Sequence, residues 1–195
     1  MGVIKNNLDT TRMFLQTPAL CVPIILIWVA TFGGALHQPC TTYYNMSFGA
    51  SPTALGNIGM LIGIGELCLA PVYGWILDRF GSYLAIMLAG GCCTFGCLVR
   101  GIAFDLNWIY AGSLLIGLGA ANLWTVVLTH VAKHSPTERR EHVIAAFSFQ
   151  VLVLKIAGKA LYYPVERYLR GIGIDSQFTR YRIMMVTCPL FCVFG

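Results

Sequence analysis

The amino-acid sequence predicts an all-α fold: a polytopic transmembrane helix bundle with five full spans and an incomplete sixth. The 195-residue chain is 57% hydrophobic but only 11% charged, whereas soluble domains carry about 25% charged residues. Its apolar residues also form long stretches, and a membrane-spanning helix needs roughly 20 mainly apolar residues in succession. Composition and stretch length together place the chain among integral, multi-pass membrane proteins, which have the lipid bilayer as a partner.

The predicted spans divide the chain into an N-terminal segment, residues 1–18, and a helical bundle, residues 19–195. Five stretches are long enough to cross a bilayer, and they lie at about 19–39, 53–77, 83–104, 108–131 and 143–164. A sixth stretch occupies 183–195. It would rise only about 20 Å, less than the roughly 30 Å of hydrocarbon. We therefore expect the sixth span to be incomplete.

Two helix starts are expected from capping residues. Ser51 precedes Pro52 at the start of the second span, which is typical of an N-cap followed by proline at the first helical position. Ser135 precedes Pro136 in the same way, and Glu138 then completes a predicted capping box. The second start predicts a helix that begins in water and continues into the fifth span.

Small residues at four-residue spacing predict that the spans pack closely. Such pairs allow helix backbones to approach each other within a membrane. The pairs are Gly59 and Gly63, Cys92 and Gly96, and Ser113 and Gly117.

Loop charges predict a cytoplasmic N-terminus by the positive-inside rule. The segments that would be inside contain Lys5, Arg12, Arg79, Lys133, Arg139 and Arg140, whereas the first outer loop, about 40–52, contains no lysine or arginine. One segment disagrees, because 165–182 would be outside yet carries four arginines. The outer loop also holds the sequence Asn-Met-Ser at Asn45, a possible glycosylation site.

Several classes of site are not expected. Seven of the eight cysteines lie in apolar runs, where cysteine behaves as a small hydrophobic residue, so neither a disulfide framework nor a metal site is predicted. The sequence lacks the spacings of intramembrane metalloproteases and the complete glycine loops that bind phosphates. We expect no enzyme activity, no cofactor and no nucleic-acid partner.

A charged interruption, "GWILDRFGS", separates the second and third spans. Gly74, Asp78, Arg79 and Gly81 are called the reversal motif here. One interpretation is a tight turn with a surface ion pair. The other is a conformational motif, in which Gly81 permits the reversal and Asp78 accepts backbone N–H groups at the start of the next helix.

The reversal motif resembles the signature between helices 2 and 3 of the major facilitator superfamily, roughly Gly-x-Leu-x-Asp-Arg-x-Gly-Arg-[Lys/Arg]. Ile76 stands for the leucine, and Ser82 and Tyr83 replace the two basic residues. Further resemblance is carried by Pro71 before the glycine, by "GLGAA" in the fourth span and by "TERRE" in the loop that follows.

This resemblance implies a solute carrier with two six-helix halves that rock around a central site, and a reversal motif that latches the halves together. Two features of proton-coupled drug carriers are missing. Ser113 occupies the position of an arginine in the fourth span, and the fifth span has lysines instead of a Gly-Pro motif. These departures argue against a drug–proton antiporter.

Three ionisable residues lie within predicted spans, where charge is costly and usually functional. Glu66 and Lys155 fall at similar depth, roughly 18 and 20 Å from the cytoplasmic side, and Lys159 lies one turn further out. They could form a structural ion pair, or they could bind a substrate or a coupled proton; Lys159 could reach the surface. Arg100 and Asp105 are expected to reach the interface or cap a helix, and His37 and His130 to be interfacial.

The function expected from these features is secondary transport of a small solute, with or without a coupled proton. The chain would be a fragment of a twelve-helix carrier, completed by a second six-helix half or by a homodimer partner. The alternative is a truncated half-carrier that does not transport and acts as a membrane scaffold or regulatory partner.

Overall fold

The computed structural model describes residues 17–194, except for the side chains of residues 18, 19, 121 and 188–194. The N-terminal segment predicted for residues 1–18 lies almost wholly outside the described residues. The described chain is a bundle of six α-helices with one short 3₁₀ turn at Thr137–Arg139. The helices are α1 (Pro18–Met46), α2 (Pro52–Phe80), α3 (Ser82–Gly101), α4 (Leu106–His134), α5 (Arg140–Gly171) and α6 (Gln177–Phe194).

Five of these helices, α1 to α5, are long and apolar enough to cross a membrane. This confirms the all-α polytopic fold. Some helices run past the predicted spans, because α1 continues to Met46 and α5 to Gly171. The extension of α1 is stabilised by packing, since Tyr44 is fully buried and its hydroxyl donates a 2.7 Å hydrogen bond to the carbonyl of Arg100.

The predicted caps have mixed outcomes. Ser51 caps α2 as expected, because its hydroxyl oxygen accepts a hydrogen bond from the Ala54 backbone N–H at 3.2 Å. Asp105 likewise caps α4, with its carboxylate accepting from the Trp108 N–H at 3.1 Å. The capping box at Ser135 is wrong. That residue ends α4, its hydroxyl donates back to the Val131 carbonyl, and a 3₁₀ turn separates it from α5.

α4 lies against four other helices, with its smallest contact on α5. It packs extensively on α3 and α2 and also contacts α1, while α1 packs on α5 and α6 and α3 packs on α6. Two apolar clusters fill the bundle. The first, around Phe147 and Val127, lies at the end that carries the reversal motif; the second, around Tyr44 and Met184, lies at the opposite end.

Close helix contacts form at only some of the predicted small residues. A methyl group added at Gly96 would lie 2.6 Å from the Ile116 backbone nitrogen, and one at Gly117 would lie 2.7 Å from the Ile62 Cα. Both positions therefore serve close packing, as predicted. Gly59 and Gly63 do not, because a methyl group at either would meet no atom within 4 Å. Gly59 and Gly63 lie on a face of α2 that the described helices leave open.

The arginines of 165–182 are explained by the turn between α5 and α6. Arg180 is 4% exposed, forms a 3.3 Å ion pair with Glu166 and donates to the carbonyls of Ile174 and Asp175. Arg182 donates to the carbonyl of Gly101, at the end of α3, at 2.9 Å. Arg170 also forms a 3.1 Å ion pair with Glu166. Three of the four arginines thus neutralise a carboxylate or bind helix-terminal carbonyls, so their number does not by itself report membrane orientation.

Candidate functional site

The reversal between α2 and α3 depends on a glycine. Gly81 has φ +89°, a conformation that side chains with a Cβ rarely adopt. Asp78 and Arg79 are both exposed, and the Arg79 guanidinium lies 5.5 Å from the ring centre of Trp75. The expectation that Asp78 accepts N–H groups from α3 is wrong, because within 17–194 it makes no hydrogen bond or ion pair. The motif charges therefore face outward from this bundle.

A serine–histidine contact beside the reversal motif was not predicted. The Ser82 hydroxyl hydrogen-bonds Nδ1 of His130, which is fully buried near the end of α4. The Tyr83 ring meets the His130 ring edge to face at 5.2 Å. Ser82 and Tyr83 stand where the family signature has basic residues, and this substitution is the signal that could have indicated the contact.

The three membrane-embedded charges are not brought together. α2 packs chiefly on α4 and α5 on α1, so Glu66 and Lys155 do not meet. In the part of the chain that the structure describes, both ion pairs are made by Glu166. The structural pairing of Glu66 with Lys155 is therefore wrong. Glu66 is half-buried, whereas Lys155 and Lys159 are exposed on α5.

Lys155 lines a cavity of about 310 Å³ between α1, α3, α4 and α5. The cavity lies at mid-depth along the helices. It borders the first apolar cluster, to which its lining residues Ile27 and Val151 belong. Its polar side chains include Thr31, His37 and Thr94, and its apolar wall includes Trp124. Neither Glu66 nor Lys159 lines it. A mostly apolar hollow with a few convergent polar groups is typical of small-molecule binding sites.

Asn45 and Arg100 form a buried contact that corrects two expectations. Asn45 is 3% exposed within α1, and its side-chain oxygen accepts a 3.1 Å hydrogen bond from the Arg100 guanidinium. A buried, bonded asparagine is poorly accessible for modification, so this fold argues against glycosylation at Asn45. Arg100 is 4% exposed and does not reach the interface. Its Nε has no hydrogen-bond partner among the described residues.

Comparison with known proteins agrees with this architecture. The sequence model described as Major Facilitator Superfamily matches residues 11–161. The chain is 27% identical over 176 residues to Sugar transporter ERD6-like 12 of Arabidopsis thaliana, covering 85% of this chain and 37% of that protein. It is 24% identical over 143 residues to the uncharacterized MFS-type transporter YhcA of Bacillus subtilis, covering 73% and 27%.

A third relative is named for multidrug resistance rather than for sugar transport. The putative multidrug resistance protein MdtD of Yersinia pestis is 27% identical over 133 residues, covering 65% of this chain and 28% of that protein. The chain thus spans between about a quarter and two fifths of the length of these three relatives.

Proposed function

The chain belongs to the major facilitator superfamily, and on this premise we propose that it forms one half of a secondary transporter for a small solute. Transport would proceed by alternating access, as in carriers whose two halves rock around a site near the bilayer midplane. The observation that carries the proposal is the mid-depth cavity, in which Lys155 is the one membrane-embedded charge of the three predicted. We propose Lys155 as a substrate contact, Glu66 as the candidate for a coupled proton, and Lys159 as a residue that reaches the interface.

The open face of α2 supports a second half as partner. Only four of its 29 residues are buried: Ala54, Ile58, Gly65 and Tyr73. Gly59 and Gly63 offer small residues with open space beside them, which suits close contact with a further helix. Asp78 and Arg79 at the end of α2 face outward and could form ion pairs with the same partner. This partner would be a second six-helix half or a second copy of the chain.

Transport by the full 195-residue chain reconstituted in liposomes tests the proposal. Entry of four radiolabelled solutes would be compared with empty liposomes: a hexose, a neutral amino acid, a monocarboxylate and a cationic drug. The expected result is saturable entry of one class, reduced by Lys155→Gln and unchanged by Lys159→Gln. The mass of the reconstituted particle would be measured in parallel, since a particle that transports is expected to contain two copies of the chain.

Two outcomes would count against transport by this chain alone. A dimer that passes no solute of any class would support the alternative, a half-carrier with a scaffold or regulatory role. A monomer without flux would assign transport to a complex with a separate second half, and co-expression of the matching half of a relative should then restore it. Proton coupling is tested by the same entry assay with an imposed pH gradient, in which Glu66→Gln should abolish the stimulation.

A further inference from the structure

The cavity between α1, α3, α4 and α5 has a positively charged side chain but no acidic side chain in its lining. Its lining includes a lysine, a histidine and two threonines but no aspartate or glutamate. Lys155 makes no ion pair within the described residues, where Glu166 is the acid of both pairs. An ammonium group in a membrane span is costly without a counter-charge. A negative charge that pairs with Lys155 would therefore come from outside these residues, from a partner helix or from the solute.

A second cation, Arg100, lies on α3 one turn from the cavity lining but is not part of it. Cys97 lines the cavity on α3, and Arg100 follows it three residues later, a rise of about 4.5 Å. The Arg100 side chain is buried and hydrogen-bonds the neutral Asn45 rather than an acid. Because burial weakens screening of its charge, Arg100 adds a positive potential at the same end as His37. Lys155 in the lining and Arg100 beyond Cys97 thus both bias the cavity toward anions.

The rest of the cavity wall is apolar and favours a solute with an apolar body. Trp124 lines the cavity and is held in place by stacking on Phe147, with ring centres 5.6 Å apart and an interplanar angle of 16°. Ile116 and Leu123 extend this surface. A cavity of about 310 Å³ lies at the small end of the roughly 300–1,000 Å³ found for ligand sites, so the occupant is a small molecule.

From these observations we infer that the solute is a small organic anion with an apolar body, whose carboxylate or equivalent group pairs with Lys155. His37 is suited to a second contact, because its Nδ1 lies 3.3 Å from the Thr41 hydroxyl and leaves Nε2 for the ligand. The inference rests on the proposed transport function for its biological meaning. It concerns binding, however, and binding can be measured without flux.

Ligand binding to the detergent-solubilised full chain tests the inference, with Trp124 emission as the signal. Three probes of nearly equal shape and different charge are compared at neutral pH: benzoate, benzamide and benzamidinium. Lactate and lactamide form a smaller matched pair. Loss of the signal in Trp124→Phe verifies that it reports this cavity. Lys159→Gln is the matched control, since it removes the same charge one turn away from the cavity on α5.

We expect at least one carboxylate to bind about ten-fold or more tightly than its amide, the range of a hydrogen bond to a charged group. Lys155→Gln should remove this preference, and Lys159→Gln should retain it. The inference is overturned if neither carboxylate is preferred to its amide, or if the preference survives in Lys155→Gln. Carboxylate preference without solute flux in liposomes would leave the anion site standing while refuting transport by this chain alone, so the two failures are distinguishable.

Discussion

Adding one methyl group at Gly117 should weaken the packing between α2 and α4. The new carbon would lie 2.7 Å from the Ile62 Cα and 2.8 Å from its carbonyl carbon, whereas carbon atoms pack at about 3.5–4.0 Å. The helices would have to separate locally by about 1 Å. Overpacking costs about 1–3 kcal/mol, while alanine gains about 0.8–1.0 kcal/mol over glycine in a helix. The contact is with rigid backbone, so Gly117→Ala should lower the free energy of unfolding by a net of about 1–2 kcal/mol.

Thermal unfolding of the purified chain in detergent measures this effect. A loss of 1 kcal/mol lowers Tm by about 2–4 °C in a chain of this size, so Gly117→Ala should melt about 2–8 °C below the parent. Gly63→Ala is the matched control on α2, because no atom lies within 4 Å of the added carbon. Its Tm should be unchanged or slightly higher. Equal losses in both variants, or none in Gly117→Ala, would refute the assigned packing of α2 on α4.

Two further predictions concern the arginines at the end opposite the reversal motif. Glu166→Gln should lower the free energy of unfolding by about 1–3 kcal/mol, because it leaves the buried Arg180 without its carboxylate. Arg170→Gln removes only an exposed i,i+4 partner of the same glutamate, so it should lower the free energy of unfolding by no more than about 0.5 kcal/mol. Asn45→Ala should lower the free energy of unfolding by about 1–3 kcal/mol, because the Arg100 guanidinium loses its acceptor. Asn45→Asp keeps an acceptor and should lower it less. The parent chain expressed in eukaryotic membranes should show no change in mass on glycosidase treatment. Melting curves measure the stability of the variants, and electrophoretic mobility measures glycosylation. Equal Tm losses for Glu166→Gln and Arg170→Gln would contradict the ion pair of Arg180 with Glu166. A glycosylated parent would contradict the burial of Asn45 against Arg100.

Features that depend on a short run of residues were predictable from sequence. The helical spans follow from the length of each apolar stretch, the N-cap of α2 from Ser51 and Pro52, and the sharp reversal from Gly81. Each of these is decided within a few residues or one helix, by hydrophobicity, by capping chemistry or by backbone freedom. The family resemblance carried by the reversal motif belongs to the same class, and the match over residues 11–161 confirms it.

Features that depend on which helices are neighbours were not predictable in this way. Equal depth suggested that Glu66 meets Lys155, but α2 and α5 pack on different partners, so the pair does not form. Arg100 and Asn45 resemble interfacial residues in sequence, and only the meeting of the end of α1 with the end of α3 brings them together in the interior. Depth in a membrane constrains one coordinate of a side chain, along the helix axis. The direction that the side chain faces, and hence its partner, is set by the arrangement of the helices around it.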